Sequence, residues 1–173
     1  LIYPPADLSS FSYTRASGKF KIFYASCPTR KEDFEKRGMG LLVDFAAQNK
    51  SVEMVLAWRQ GAFREIQRLI HQKKAPNIIL KNEIMNDMDV EYGQIHATII
   101  PYTKFDDYLK LIPNSALESL AAGKPLLVST KTELAKIVQQ YKCGVVFEPN
   151  VDDLQRAVAE LHRDYVKYHK NCR

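Results

Sequence analysis

Apolar residues in this chain fall into short runs separated by amphipathic stretches, starting at Phe20. Phe20 to Ala25, Val52 to Trp58, Asn77 to Leu80, Ala97 to Pro101, Leu126 to Ser129 and Gly144 to Phe147 are of strand length and largely apolar, the pattern of buried strands. Helical spacing fills the gaps, over Met39 to Asn49, Ala62 to His71, Met88 to Gln94, Ser115 to Ala122 and Thr132 to Tyr141. A last helix carries Leu154, Val158, Leu161, Tyr165 and Tyr168 on one face. Strands alternating with helices predict an α/β fold: a doubly wound, Rossmann-like, six-stranded parallel sheet with helices on both faces. Neither an internal repeat nor a low-complexity stretch interrupts it. Residues 1–18 lack any period, and Pro4 and Pro5 make their start extended and stiff, as expected of a lead-in from an upstream domain. Residues 19–173 are expected to form the folded domain.

The chain has 173 residues, enough for a sizeable core, and 46% hydrophobic with 26% charged residues is ordinary globular composition. No run approaches the roughly 18 apolar residues of a membrane span. With neither an initiator Met nor a signal-peptide pattern at Leu1, a piece of a longer protein is expected, membrane association being left to the missing part. The net charge is +5, but acids interleave with bases, as in Arg30-Lys31-Glu32-Asp33-Phe34-Glu35-Lys36-Arg37. A solvated surface with a mild pull on anionic ligands follows, and nucleic acid is not an expected partner. Cys27, Cys143 and Cys172 are far apart with no Cys-x-x-Cys pair, which points to a reduced, cytoplasmic protein without a disulfide or zinc framework.

The most informative segment runs from Pro113 to Ser129. Pro113 with Asn114 and Ser115 as capping residues opens a short helix, Gly123 closes it, and Pro125 leads into a strand. Free amides at such an N-terminus bind phosphate. Glu118, one turn further in, is placed to accept from the paired hydroxyls of a ribose. Diphosphate plus ribose is the signature of a nucleotide.

In an open parallel sheet, ligands lie beyond the carboxyl ends of the strands, where three loops of this chain should converge. The first carries Arg30 and Arg37, whose planar forks could neutralise a diphosphate, although each alone is equally well a solvent-facing charge. Lys81-Asn82-Glu83-Ile84, the second, could meet a base edge through Glu83 and Ile84. The third runs from Tyr102 to Ile112; its Asp106 and Asp107 suit either an acid/base pair or a polar surface loop.

Other motifs carry less. Gly38-Met39-Gly40 has Val43 where a dinucleotide fingerprint needs its third glycine, and there is no Walker loop. His71, His96, His162 and His169 lack metal-ligand spacing and read as structural, and no metal is expected. Trp58-Arg59 reads as packing plus a surface charge.

Pro113-x-Ser115-x-x-Glu118-x-Leu120-Ala121-x-Gly123-Lys124-Pro125, followed by Cys143-Gly144-Val145-Val146-Phe147-Glu148-Pro149, resembles the C-terminal half of the group-1, glycogen-synthase-like, mostly retaining glycosyltransferases of GT-B fold. Ile2-Tyr3-Pro4-Pro5-x-Asp7, Arg37-Gly38 and Tyr92 to Pro101 extend the likeness through nearly the whole chain. The resemblance implies a nucleotide-sugar donor bound here and a glycan, lipid or small-molecule acceptor bound mainly by an N-terminal domain. It assigns Glu118 to the ribose, the amides of Asn114, Ser115 and Ala116 to the diphosphate, and Gly38 to the donor site. Arg37 and Arg30 become the groups that hold the phosphates as the leaving group departs. No separate cofactor is implied.

The chain departs from that pattern at two places. Lys110 stands where the family has the Glu that touches the donor sugar, so that it either turns to a phosphate or signals an unusual sugar. Thr132-Glu133 replaces a glycine pair, and Lys136 the Glu after it. The leading expectation is sugar transfer from a nucleotide diphosphate sugar by the full-length protein, with this chain alone inactive. A sugar-nucleotide epimerase of the same architecture, or a non-catalytic nucleotide-sugar or glycan binder, are the alternatives.

Overall fold

All six predicted strands form: β1 (Lys21–Tyr24), β2 (Glu53–Ala57), β3 (Ile78–Lys81), β4 (Ala97–Ile100), β5 (Leu126–Ser129) and β6 (Gly144–Phe147). The computed structural model describes residues 8–25, 27–58, 61–82, 85, 87–104 and 112–172. Every neighbouring pair is parallel, in the order β3-β2-β1-β4-β5-β6. The helices are α1 (Met39–Gln48), α2 (Phe63–Gln72), α3 (Met88–Gly93), α4 (Asn114–Ala121), α5 (Leu134–Tyr141), α6 (Val151–Arg163) and α7 (Tyr165–Lys170).

Side chains alternate across the sheet and divide the core into two layers. Ile22, Tyr24, Met54, Leu56 and Trp58 face the layer that also contains Leu42 and Phe45 of α1 and Leu154 of α6. Phe23, Val55 and Ala57 face the other way, onto Tyr92 of α3 and Ala122 just after α4. Because both faces are covered, β4 and β5 are buried along their whole length, which is why they read as unbroken apolar runs.

The last predicted helix is two helices. Its five face residues are all buried as expected, but the chain breaks at Asp164 (φ −102°, ψ 22°). The break turns Tyr165 onto Phe20 and His96, which precede β1 and β4, at ring-centroid distances of 6.3 and 5.7 Å. Burial of two tyrosine rings offsets the few helical hydrogen bonds lost there, each worth about 0.5–1.5 kcal/mol. α5 starts at Leu134 rather than Thr132, whose hydroxyl donates to the Ser129 carbonyl at 3.2 Å in the preceding turn.

The described part of the aperiodic N-terminal segment is bound to the domain, Leu8–Ser10 lying against α4. Ser12 donates through its amide and hydroxyl to Asp89 of α3, at 2.6 and 2.9 Å. The Thr14 amide donates to the Ala122 carbonyl, and fully buried Lys124 donates from Nζ to the Thr14 carbonyl at 2.8 Å. Tyr13 donates to the His169 carbonyl in α7.

Candidate functional site

The winding of the sheet reverses between β1 and β4, which pair directly. Such a switch point opens a crevice at the carboxyl ends of the two strands, because the loops that follow them leave toward opposite faces. Here those connections span residues 25–38 and 101–113, of which 25, 27–38, 101–104, 112 and 113 are described.

Contacts between the two loops build one wall. Gly38 (φ 74°) sits against Pro101 so closely that a Cβ would lie 2.0 Å from the Pro101 carbonyl oxygen. Only glycine accepts both the left-handed backbone and this approach. The Thr103 amide donates to the Lys36 carbonyl at 3.0 Å, and the Thr103 hydroxyl to the Glu35 carbonyl at 2.6 Å. Arg37 donates to the Tyr102 hydroxyl and lies over its ring, 4.9 Å from the centroid.

Tyr24, the last residue of β1, ends beneath this wall with its hydroxyl buried beside Arg37. Burial drives its phenol well above the ordinary range, with Tyr102 and Cys27 adding to the rise and Arg37 opposing it. Burial also raises Tyr102, again against Arg37, and holds the Cys27 thiol protonated.

The other wall is the N-terminus of α4. Pro113, extended at φ −64° and ψ 141°, occupies the N-cap and makes no side-chain cap. Asn114 and Ser115 are therefore already helical and do not cap the helix as expected, since the proline before them has taken the extended position. The Ala116 amide donates to the Pro113 carbonyl at 2.9 Å, which occupies one of the three amides assigned to phosphate. Those of Asn114 and Ser115 have no hydrogen-bond acceptor among the described residues. The buried Ser115 hydroxyl likewise has no partner among the described residues, an expensive state unless something else occupies the site.

The same helix is anchored from below. Ser119, fully buried, donates to the Thr98 hydroxyl of β4 at 2.8 Å and stands 2.9 Å from the Lys124 carbonyl. Gly123 (φ 72°) closes α4 as the sequence predicts. Glu118 is half-buried one turn in, and its Oε2 accepts from the Tyr92 hydroxyl at 3.1 Å. Burial first, then the Glu118 charge, push the Tyr92 phenol far above its usual range, so that the proton stays on tyrosine.

Topology thus puts Arg37 and Gly38 on the connection after β1, and Asn114, Ser115 and Glu118 on the helix that follows the connection after β4, the two connections that flank the switch point. Arg30 is exposed on the same first loop and paired with Asp33 at 3.1 Å. Glu83, Ile84, Lys110, Asp106, Asp107 and Arg59 lie outside the described residues. Trp58 is wholly buried, with its indole N–H donating to the Gly61 carbonyl at 2.7 Å. Two of the histidines reinforce the scaffold: the ring of His96 accepts from the Lys21 amide at 3.1 Å, and that of His169 lies 2.6 Å from the Gly123 carbonyl oxygen, whereas His71 is exposed on α2. Among the described residues no three His, Cys, Asp or Glu side chains gather as a metal site would need. Tyr24, Tyr92 and Tyr102 were not singled out as site residues by sequence, although Tyr92 and Tyr102 fall inside segments that were.

Solved structures share this fold. Sucrose-phosphate synthase from Thermosynechococcus elongatus superposes with a TM-score of 0.79 at 18% identity, over 96% of this chain and 45% of that one. The C-terminal domain of a group 1 family glycosyl transferase (LpcC) from Francisella tularensis gives 0.69 at 15% identity, over 98% and 93%. HepE from Anabaena, in complex with UDP and glucose, gives 0.71 at 14% identity, over 89% and 41%. The chain therefore spans just under half the length of sucrose-phosphate synthase and HepE, and nearly all of the LpcC domain. No curated protein sequence matches it. The family model for group 1 glycosyl transferases matches residues 32–173, which takes in the α1 start, the α4 block and everything after it, and the chain belongs to that family.

Proposed function

We propose that this chain is the donor-binding domain of a glycosyltransferase that moves a sugar from a nucleotide diphosphate sugar to an acceptor held by the rest of the protein. One observation carries the reading: at the switch point, the first turn of α4 presents two amides and a buried serine hydroxyl that find no partner among the described residues. Amides at the positive end of a helix suit a diphosphate. Glu118, one turn deeper, suits the ribose.

In this reading Arg37, across the crevice, stabilises the charge that builds on the diphosphate as the glycosidic bond breaks. Arg30 and Lys110 are the further cations that could share that role. Positive potential from these groups and from α4 supplies what a divalent ion supplies elsewhere, and transfer with retention is the outcome the family likeness favours. The domain alone turns nothing over, because the acceptor side of the crevice is not in it. Lys110, in place of the family's carboxylate, favours one second reading, a protein that binds the nucleotide sugar without transferring it.

The test is an NMR titration of the 173-residue chain with UDP, GDP, ADP, TDP and CMP, repeated with Glu118→Ala. UDP comes first because HepE was solved with it. Saturable shifts at Arg37 and Asn114 to Glu118 are expected, with affinity in the variant lowered by about 1–3 kcal/mol. Equal affinity in the variant would remove Glu118 from the site.

A further inference from the structure

We propose that Tyr92 is the positioning residue for Glu118: its hydroxyl fixes one carboxylate oxygen so that the other faces the ribose hydroxyls of the bound nucleotide. The inference rests on the reading of Glu118 given above and adds a residue to it. Tyr92 is fully buried in α3 and reaches across to α4. Its hydroxyl stands 3.1 Å from Oε2 of Glu118 and 3.0 Å from the Ser115 carbonyl oxygen. A phenol has one proton, which these two acceptors share. One tyrosine therefore touches both the carboxylate and the turn whose amides face the crevice.

The ring itself has little freedom. Phe23 of β1 meets it edge-on at 5.7 Å and 88°, and Phe11 does so at 5.6 Å and 79°. A glutamate has three rotatable side-chain bonds that must be frozen when it binds a ligand. An immobile donor on Oε2 freezes them beforehand, so binding loses less entropy. Oε1 remains to accept from a ribose hydroxyl. Burial that keeps the proton on Tyr92 supports this division of roles.

A ligand series separates positioning from simple structural support. Affinities of the 173-residue chain and its Tyr92→Phe variant are measured for UDP, ADP and GDP and for their 2′-deoxy and 3′-deoxy forms. Wild type should prefer the ribonucleotide by roughly tenfold or more, as for hydrogen bonds to a charged group. Tyr92→Phe should cut that preference by roughly three- to tenfold and leave deoxynucleotide affinity within about twofold. Equal weakening of ribo and deoxy forms, or no change in either, would overturn the positioning role. No preference in wild type would instead remove Glu118 from the ribose, and the proposal with it. A second measurement needs no variant: with ζ-13C-labelled tyrosine, the Tyr92 hydroxyl proton should exchange slowly and shift with ribonucleotide but not with 2′,3′-dideoxynucleotide. Fast exchange in the free chain would overturn the proposal.

Discussion

The guanidinium of Arg37 both donates to the Tyr102 hydroxyl and lies over its ring, 4.9 Å from the centroid. One side chain thus joins the loop after β1 to the loop after β4. Its partner there is a neutral hydroxyl, and among the described residues no carboxylate pairs with it. Arg37→Ala should weaken nucleoside diphosphate binding by about tenfold or more, the scale of a lost charge-assisted hydrogen bond. Nucleoside without phosphate should bind as before. Calorimetry with UDP and uridine checks this, and equal losses for both would mean that Arg37 acts on the wall and not on phosphate.

Gly38→Ala should be far costlier than an ordinary glycine substitution. The new methyl would stand 2.0 Å from the Pro101 carbonyl oxygen on a backbone at φ 74°. A loss of roughly 3 kcal/mol is expected, which for a domain of this size lowers the melting temperature by about 6–12 °C. Thermal unfolding measures it directly.

Ser119→Ala should destabilise through what it leaves behind. The Thr98 hydroxyl, wholly buried in β4, would lose its partner at 2.8 Å. The cost of such an orphaned group is about 1–3 kcal/mol. Adding Thr98→Val removes the orphan and should recover part of that loss in denaturant unfolding.

His96 makes a pH-dependent contribution. Burial first, and then Lys124, His162, Lys21 and Arg15, lower its pKa from 6.5 to about 4. Between these values the unfolded chain binds more protons than the folded one, so stability rises with pH across that window. The contribution is in full effect above pH 6.5 and is lost as pH falls through 4. In His96→Asn, whose Oδ1 can replace Nδ1 as acceptor for the Lys21 amide, the stability difference from wild type should shrink between pH 6.5 and 4. A constant difference would show that His96 does not titrate in this window.

The strands could be read from sequence because burial on both faces leaves a short apolar run, as in Leu126 to Ser129. The α4 block was legible too, since Pro113, Glu118 and Gly123 act on their own helix. What escaped depends on packing between distant segments. Arg37 and Tyr102 are 65 residues apart and Tyr92 and Glu118 are 26 apart, so no local pattern joins either pair. The break at Asp164 escaped for a different reason. Leu154, Val158, Leu161, Tyr165 and Tyr168 fit one uninterrupted helical period, and a bend that keeps all of them buried leaves no mark on it. The capping role given to Asn114 and Ser115 went to Pro113 because an extended proline can terminate a helix without any side-chain hydrogen bond.

Ser12 is bonded to α3, Thr14 to Lys124 and the turn after α4, and Tyr13 to α7. Mechanically these bonds form a stay. A pull on Phe11 would be loaded onto α3, the turn after α4 and α7 before it reached the sheet. The segment therefore spans the gap between α3 and the turn after α4 independently of the Tyr92–Glu118 bond that joins the same two regions from inside.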